Sequence, residues 1–432
     1  MAGAAAWAPN VSSQPQDRRV SIVVLLAFLG FYVFSLMDIS GLMTALIKYD
    51  RIPVQPIAFG LAAFFVLPWR RGKKFPAYFL AAWTFWILFS VGGLLGSKRE
   101  LGLGDYELAQ LCFKLGISLV GVPMLAFRTI IRDKYSMFVK LSVLVIAVGA
   151  AFAVVQFMLP NQFEMFMHEK GRGGGFWVSP NNCAEICVFG LFFTMVTPFK
   201  SKTFTNLLRL ILVGGLMASL SRGGLVMLFV GAVSYAVAAK QWKTLARVGI
   251  GFLIIMALGI GLSVVAKSTG SASSKRIDRW MEVLSGNVSG GDRMFLWSHG
   301  MAAVMEDPIL GRGHRSMERV VPIGSGAGPH NYYIYVWGNS GFMGLLGFLM
   351  FVASLLRMGL KCKQIQNRAA LCAMAGMIAT TAMVSHSFIN TVYFGPIFAM
   401  MALTAYYDQT APKPMFVPPQ PQRQPQFRPR MA

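Results

Sequence analysis

Successive apolar runs of about 20 residues, separated by short polar connections, leave this chain few ways to fold. A helix that crosses a bilayer needs about 20 mostly apolar residues, because in lipid every backbone N–H and C=O must be bonded within the segment. The 432-residue chain offers runs at 20–37, 52–68, 76–95, 108–127, 137–159, 181–198, 204–220, 224–239, 244–265, 330–356, 369–389 and 391–407. Only 13% of its residues are charged, against roughly 25% in soluble domains. The pattern predicts an all-α polytopic membrane protein of about 12 transmembrane helices. The two shortest runs, 52–68 and 224–239, fit a re-entrant segment as well as a crossing. No small-residue cleavage pattern follows the first run, so it reads as a retained helix.

The formal net charge of +23 would point to nucleic acid in a soluble protein, but its placement along the chain gives a different answer. Taken alternately from the N-terminus, one set of connections holds 24 Lys and Arg with only Asp17, Asp133 and Asp408 as acids. The opposite set holds 15 basic and 14 acidic residues. The positive-inside rule makes the first set cytoplasmic, both termini included. This divides the chain into a cytoplasmic N-terminus (1–19), nine helices (20–265), a long outer segment (266–329), three helices (330–407) and a basic tail (408–432). The tail is rich in Pro, Gln and Arg and reads as disordered. The five cysteines, Cys112, Cys183, Cys187, Cys362 and Cys372, show no metal-site or disulfide spacing. In the long outer segment, turn-rich stretches surround helix-like pieces near 276–284 and 293–305, and Gly290-Gly291-Asp292 offers an N-cap to the second. The segment is a candidate small helical domain.

Polar chemistry gathers on the outer side. Arg172 lies in GRGGGFWVSPNN, Arg222 in SRGG, and Arg293 follows Gly290-Gly291-Asp292. A guanidinium is a planar fork that grips phosphate oxygens in pairs, and flanking glycines let the backbone come close to a ligand. Each alone also fits a salt bridge or an arginine reaching lipid phosphate. His330-Asn331 stands at the start of the apolar run 330–356, followed after nine residues by Gly341-x-x-Gly344. An imidazole there suits a general base acting on a lipid-carried substrate, and it also fits an interfacial histidine bonded to a loop carbonyl. Glu185, four residues after Asn181, is a rival base or a partner that orients an arginine. Together these residues describe a pyrophosphate pocket beside a base, facing away from the cytoplasm.

That placement excludes ATP as substrate, and the chain has no GxxxxGK[ST]. Gly311-Arg312-Gly313 lacks a βαβ context. The outer segments carry no Asp-x-Asp or His/Glu cluster suited to a divalent ion. The reading therefore calls for no cofactor and no metal, and leaves electrophilic work to the arginines.

These residues resemble the bacterial O-antigen ligase and polymerase superfamily. The resemblance rests on GRGGGFWVSPNNCA (171–184), SRGG (221–224), the GDR–DPILGRG segment (291–313) and HN-x9-GxxG (330–344). It implies a glycosyltransferase C-like membrane fold in the bacterial inner membrane. The implied activity is inverting, metal-independent transfer of an undecaprenyl-pyrophosphate-linked glycan onto an acceptor hydroxyl at the periplasmic face. By the same resemblance His330 matches the general base or acceptor-orienting histidine, and Arg172 and Arg222 match arginines at the donor pyrophosphate. Arg293 is a looser match, because spacing in the long segment varies. Asn181, Glu185 and Asn331 would support them.

Three functions fit: a ligase moving a finished glycan onto lipid A core, a polymerase extending a growing O-antigen or exopolysaccharide, and a flippase for lipid-linked glycan. A transporter needs polar groups along a central path, whereas Lys114 is the one Lys or Arg in the middle of a span, and the polar signal sits at one face. The HN-x9-GxxG match leans to the ligase. A basic cluster, Lys267, Lys275, Arg276 and Arg279, suits either lipid A phosphates or solvent. The charge alternation makes a direct prediction. Reporter fusions after Gly72, Lys134, Lys202 and Lys363 will read as cytoplasmic, and fusions near Lys98, Glu169 and Gly290 as periplasmic; one clean reversal breaks the helix count.

Overall fold

The apolar runs within the described residues are helical, because a helix satisfies its own backbone. The computed structural model describes residues 22–38, 76–96, 112, 114–130, 132–163, 171–241, 243, 291–320, 328–385 and 388–411. Among these, every regular element is helical. In chain order they are α1 (Ile22–Leu36), α2 (Ala77–Leu95), α3 (Val122–Thr129), α4 (Arg132–Met158), α5 (Pro180–Val196), α6 (Lys202–Ala218), α7 (Arg222–Ala238), α8 (Gly291–Glu306), α9 (Tyr332–Leu360), α10 (Ile365–Val384) and α11 (Phe394–Gln409). By length and composition α2, α4, α9 and α10 can cross a membrane, and α5 and α7 are shorter apolar helices. The helix-like stretch at 293–305 is α8. The expected spans 52–68 and 244–265, the piece at 276–284, Gly290, the N-terminal 1–19 and the tail beyond 411 lie outside the described residues.

Helix ends follow local chemistry. Ser201 caps α6 by accepting from Phe204 N, and Ser221 caps α7 by accepting from Gly224 N, each cap worth about 1 kcal/mol. Before α3 the backbone widens into a π-turn at Ile117–Gly121, next to Pro123, whose ring and missing N–H disfavour a regular turn there. At the far end, Asp408 of α11 accepts from Gln364 N at 3.2 Å and from Asn367 Nδ2 at 2.9 Å. That carboxylate caps α10 from another helix.

The core sits around α5 and α11. Both are buried on nearly every face: Cys183 to Thr194 without a break in α5, and Phe394 to Ala405 in α11. A helix apolar all round belongs at the centre of a bundle. Between helices in lipid, close packing replaces the hydrophobic drive, and small residues carry it. Along α2 they are Gly92 and Gly93, with Gly96 just beyond its end. A methyl group on Gly92 would overlap the Ser340 carbonyl, one on Gly93 the His314 ring, and one on Gly96 the Gly313 backbone. Earlier on α2, Phe79, Phe85 and Phe89 are fully buried, Phe85 and Phe89 on the same face as the glycines.

The most consequential element is α9, which is two helices. Gly341, with φ 67° and ψ −170°, breaks it. A straight helix would hold residues 332 and 348 about 24 Å apart, yet the Tyr332 and Phe348 rings are 5.0 Å apart and Tyr333 and Phe348 5.1 Å. Val336 packs 3.4 Å from where a Gly344 methyl would stand. The limb 332–340 therefore folds back along 342–350. This corrects the expectation of one crossing at 330–356 with His330 at its outer edge. The long limb, 342–360, extends about 28 Å and is long enough to span the hydrocarbon by itself. The short limb is re-entrant, and its N-terminus lies beside Phe348 and Phe85.

Breaking a helix in lipid orphans backbone groups, and the segment 308–313 supplies the partners. Phe342 N donates to the Pro308 and Ile309 carbonyls at 3.0 and 3.1 Å. Arg312 N and Gly313 N donate to the Gly338 and Asn339 carbonyls at 2.7 and 3.0 Å. A Gly341 methyl would collide with the Ile309 carbonyl, and the backbone there is open essentially to glycine alone. Gly341→Ala should therefore lower stability by about 3 kcal/mol or more. Thermal unfolding in detergent measures it against Gly30→Ala, whose methyl would meet no atom within 4 Å; equal midpoints would refute the reversal.

Candidate functional site

The glycine-rich loop before α5 is held from below by α4. Gln156, fully buried near the end of that apolar helix, accepts from Gly174 N at 3.0 Å and Gly175 N at 2.8 Å, and donates to Gly175 O at 3.3 Å. A polar amide inside an apolar helix is costly unless its bonds are made; here the loop backbone makes them. The glycines permit the approach, since a methyl group on Gly173 would overlap the Ala153 carbonyl. Gly175 has φ +61°, a left-handed conformation that suits glycine. Trp177 anchors the end of the loop by donating to Leu36 O at 2.8 Å.

So pressed against α4, the loop delivers Arg172 to the turn between α6 and α7. Gly173 N donates to Ala218 O at 2.9 Å. Arg172 is 2% exposed; its Nε donates to Ser219 O at 2.7 Å and its Nη2 to Asn181 Oδ1 at 3.1 Å. The same Asn181 oxygen accepts from Ser221 Oγ at 3.1 Å, and Ser221 is the cap of α7 whose next residue is Arg222. The two glycine-rich arginine motifs, 50 residues apart in sequence, thus form one corner through Asn181. Arg172 is its buried member and Arg222 its exposed one. The N-termini of α5 and α7 both open at this corner, and helix N-termini favour anions.

Glu185 lies one turn further along α5 and is buried. Its partner is Tyr393, whose hydroxyl donates to Glu185 Oε2 at 2.9 Å, so the expected pairing with an arginine is corrected. Tyr393 follows the turn Phe388–Asn390, and Asn390 Oδ1 accepts from Tyr332 OH at 2.9 Å. Tyr332 opens the re-entrant limb. Polar contacts therefore run from Arg172 through Asn181 and along α5 to Glu185 and Tyr393, and from Asn390 to the start of α9.

At that start Asn331 is a helix cap: its side chain accepts from Tyr333 N at 3.0 Å and Ile334 N at 3.2 Å. His330, half-buried, has φ +46°, unusual for a residue with a Cβ and the kind of strain that clusters at functional positions. It sits at the inner end of the re-entrant limb, about 13 Å by helical rise from the break at Gly341. Arg293 stands apart. It is exposed in the first turn of α8, and among the described residues no recorded contact joins it to the Arg172 corner. Its helix reaches α9 through Gly300, which packs on Pro329 and Ile334.

Gln156, Tyr393, Asn390 and Tyr332 escaped the sequence reading. For Gln156 a signal existed, a lone amide within the apolar run AFAVVQFML; the other three are joined to the site only by the fold. His314 also escaped: it is 4% exposed, its Nε2 lies 3.5 Å from Cys112 Sγ, and its ring packs 4.8 Å from Phe89. Among the described residues no group of three His, Cys, Asp or Glu side chains is placed to hold a metal ion.

Residues 207–349 match the family model described as O-Antigen ligase. The match includes Arg222, Arg293, His330, Asn331 and the break at Gly341, and stops short of Arg172, Asn181 and Glu185. No curated protein matches the chain. Replacing Gln156 with Leu would strand two buried N–H groups, at roughly 2–4 kcal/mol. The expected result is a lower unfolding midpoint and faster proteolysis within 171–178. An unchanged protein would mean that the amide does not hold the loop.

Proposed function

On the match of residues 207–349 to the O-Antigen ligase family, we propose that the chain is a ligase-type membrane glycosyltransferase of the O-antigen ligase/polymerase superfamily. It transfers a glycan from an undecaprenyl-pyrophosphate-linked donor to an acceptor hydroxyl of lipid A core, at the periplasmic face of the bacterial inner membrane. The observation that carries this reading is the corner where Asn181 joins the two arginine-bearing glycine turns. In the proposed complex Arg172 and Arg222 meet the donor pyrophosphate, helped by the N-termini of α5 and α7. Arg293, exposed on α8, supplies a further positive charge to the same substrate as it approaches.

The proposed step is a single displacement. The acceptor oxygen attacks the anomeric carbon while its proton passes to His330. The bond from that carbon to the pyrophosphate oxygen breaks, and undecaprenyl pyrophosphate leaves with its charge on the arginines. Configuration at the anomeric carbon inverts. Asn331 supports this by fixing the turn that presents His330. Glu185 and Asn181 support it from α5, Asn181 through Arg172 and Glu185 through Tyr393. The reaction as written consumes no cofactor and needs no metal.

His330→Ala should reduce transfer from purified lipid donor by about 10²-fold or more, with insertion and unfolding midpoint unchanged. Near-normal activity would leave His330 a structural residue. Arg172→Lys keeps the charge but loses the fork, so it should cut transfer strongly as well; full retention of activity would remove the pyrophosphate role. A deletion strain separates ligase from polymerase. Uncapped lipopolysaccharide with lipid-linked polymer retained supports the ligase, and loss of the polymer itself supports the polymerase.

A further inference from the structure

The long limb of α9 carries its exposed side chains in one stripe. Phe342, Met343, Leu346, Leu349, Met350 and Leu356 are 37% to 52% exposed, while Gly344, Gly347, Phe348 and Phe351 on the opposite side are buried. On a helix apolar enough to cross a membrane, an exposed apolar stripe faces acyl chains. The neighbouring α2 has the same character near its end, at Val91, Leu94 and Leu95.

The turn at 307–310 extends this surface although it belongs to no crossing helix. Ile309 is 73% exposed and Leu310 55%. Two adjacent large aliphatics so exposed on a connecting turn are out of place in water. Their position is set by the backbone. Phe342 N donates to the carbonyls of Pro308 and Ile309, which puts the turn at the first residues of the lipid-facing stripe. Nearby, Gly313 abuts Gly96, just past the exposed end of α2. The patch is rimmed by an ion pair, Arg312 Nη1 to Glu306 Oε2 at 2.9 Å, with the Glu306 side chain 51% exposed. Apolar tips with a charged rim match the passage from acyl chains to headgroups.

We infer that the Ile309–Leu310 turn is embedded in the acyl chains of the leaflet on the hairpin side. The surface is continuous with the lipid-facing stripes of α9 and α2, and that continuity selects lipid over a protein partner. The segment that clamps the break at Gly341 is then anchored in the membrane and is not part of a free-standing aqueous domain. This holds whatever reaction the Arg172 corner serves.

The test uses the full chain in nanodiscs of phosphatidylethanolamine and phosphatidylglycerol. A nitroxide is attached at Leu310→Cys in a Cys112→Ser background, since the other four cysteines are buried. Collisions with oxygen, which enters lipid, are compared with collisions with a water-soluble nickel chelate. A label at Leu349→Cys gives the lipid reference, and one at Asn161→Cys, on an exposed polar turn, the water reference. We expect the Leu310 label to match Leu349, with oxygen collisions several times more frequent than nickel collisions. A profile like that of Asn161 puts the turn in water and overturns the inference. Low collision with both reagents means that a segment of this chain or a second copy covers the turn, and overturns it equally. Should Leu310→Cys not insert, Ile309→Cys reads the same patch.

Discussion

The backbone hydrogen bonds between the segment 308–313 and the break at Gly341 are the interactions on which the rest of this structure depends. A helix that stops inside a bilayer leaves carbonyls without donors, and the next helix starts with N–H groups that have no acceptors. Here one segment answers both needs: Arg312 N and Gly313 N serve the ending limb, while the carbonyls of Pro308 and Ile309 serve the starting one. Ser340 Oγ, donating to Phe89 O at 2.8 Å, fixes the tip to α2. Without these partners a straight helix would satisfy more of its own bonds, and the reversal would be lost. Because the chain does reverse, residue 330 comes to lie beside the middle of α2 and not at the far tip of a long rod. The HN-x9-GxxG spacing acquires a physical meaning from this. The nine residues are the re-entrant limb, Gly341 is its turn, and Gly344 is the place where the two limbs touch.

A second constraint is the burial of Arg172. An arginine 2% exposed at the end of a helical bundle has lost its water, and its stability rests on directed acceptors. Two of them, Ser219 O and Asn181 Oδ1, come from different helices, so the guanidinium plane is fixed by α5 and by the α6–α7 turn together. The loop that bears it is fixed in turn by Gln156 through backbone groups alone. The sequence of the loop can therefore be almost all glycine and still be rigid. Pre-organisation of this kind suits a group meant to meet a highly charged ligand, since little reordering is left for the binding step.

The apolar runs announced the helices well, because an uncharged stretch of about 20 residues has one stable backbone in lipid. Runs at 76–95, 137–159, 181–198 and 369–389 carry helices within a few residues of those bounds. The reversal inside 330–356 was not legible in the same way. Both limbs are apolar and helical, so composition joins them into one run, and a glycine pair in a membrane helix has several other uses. At the site, the glycine setting of Arg172 and Arg222 was visible, and the two motifs do meet. Their meeting point, Asn181, was read only as a supporting residue. Glu185 was read as a rival base or as a partner of an arginine; a tyrosine 208 residues away was placed there by the turn before α11, whose Phe388 stacks on Phe189 of α5, which no local pattern encodes. Arg293 looked equivalent to the other two on composition, yet α8 presents it to the exterior.

The start of the short limb and the arginine corner are each tied to their neighbours by bonds between buried groups. Glu185 and Asn181 are a helical turn apart on α5, and Tyr393 and Asn390 flank the turn into α11 on either side. Each hydrogen bond in this series spans two elements that would otherwise be held only by apolar packing. Apolar contacts tolerate sliding by fractions of an ångström, whereas a hydrogen bond weakens steeply with angle and distance. A bundle whose helices are joined by Gly-on-backbone contacts and by a few buried polar bonds therefore has its register fixed where those bonds lie. In this protein they lie between the arginine corner and the histidine turn. In the proposed reaction both groups act on one substrate, which requires their separation to be held.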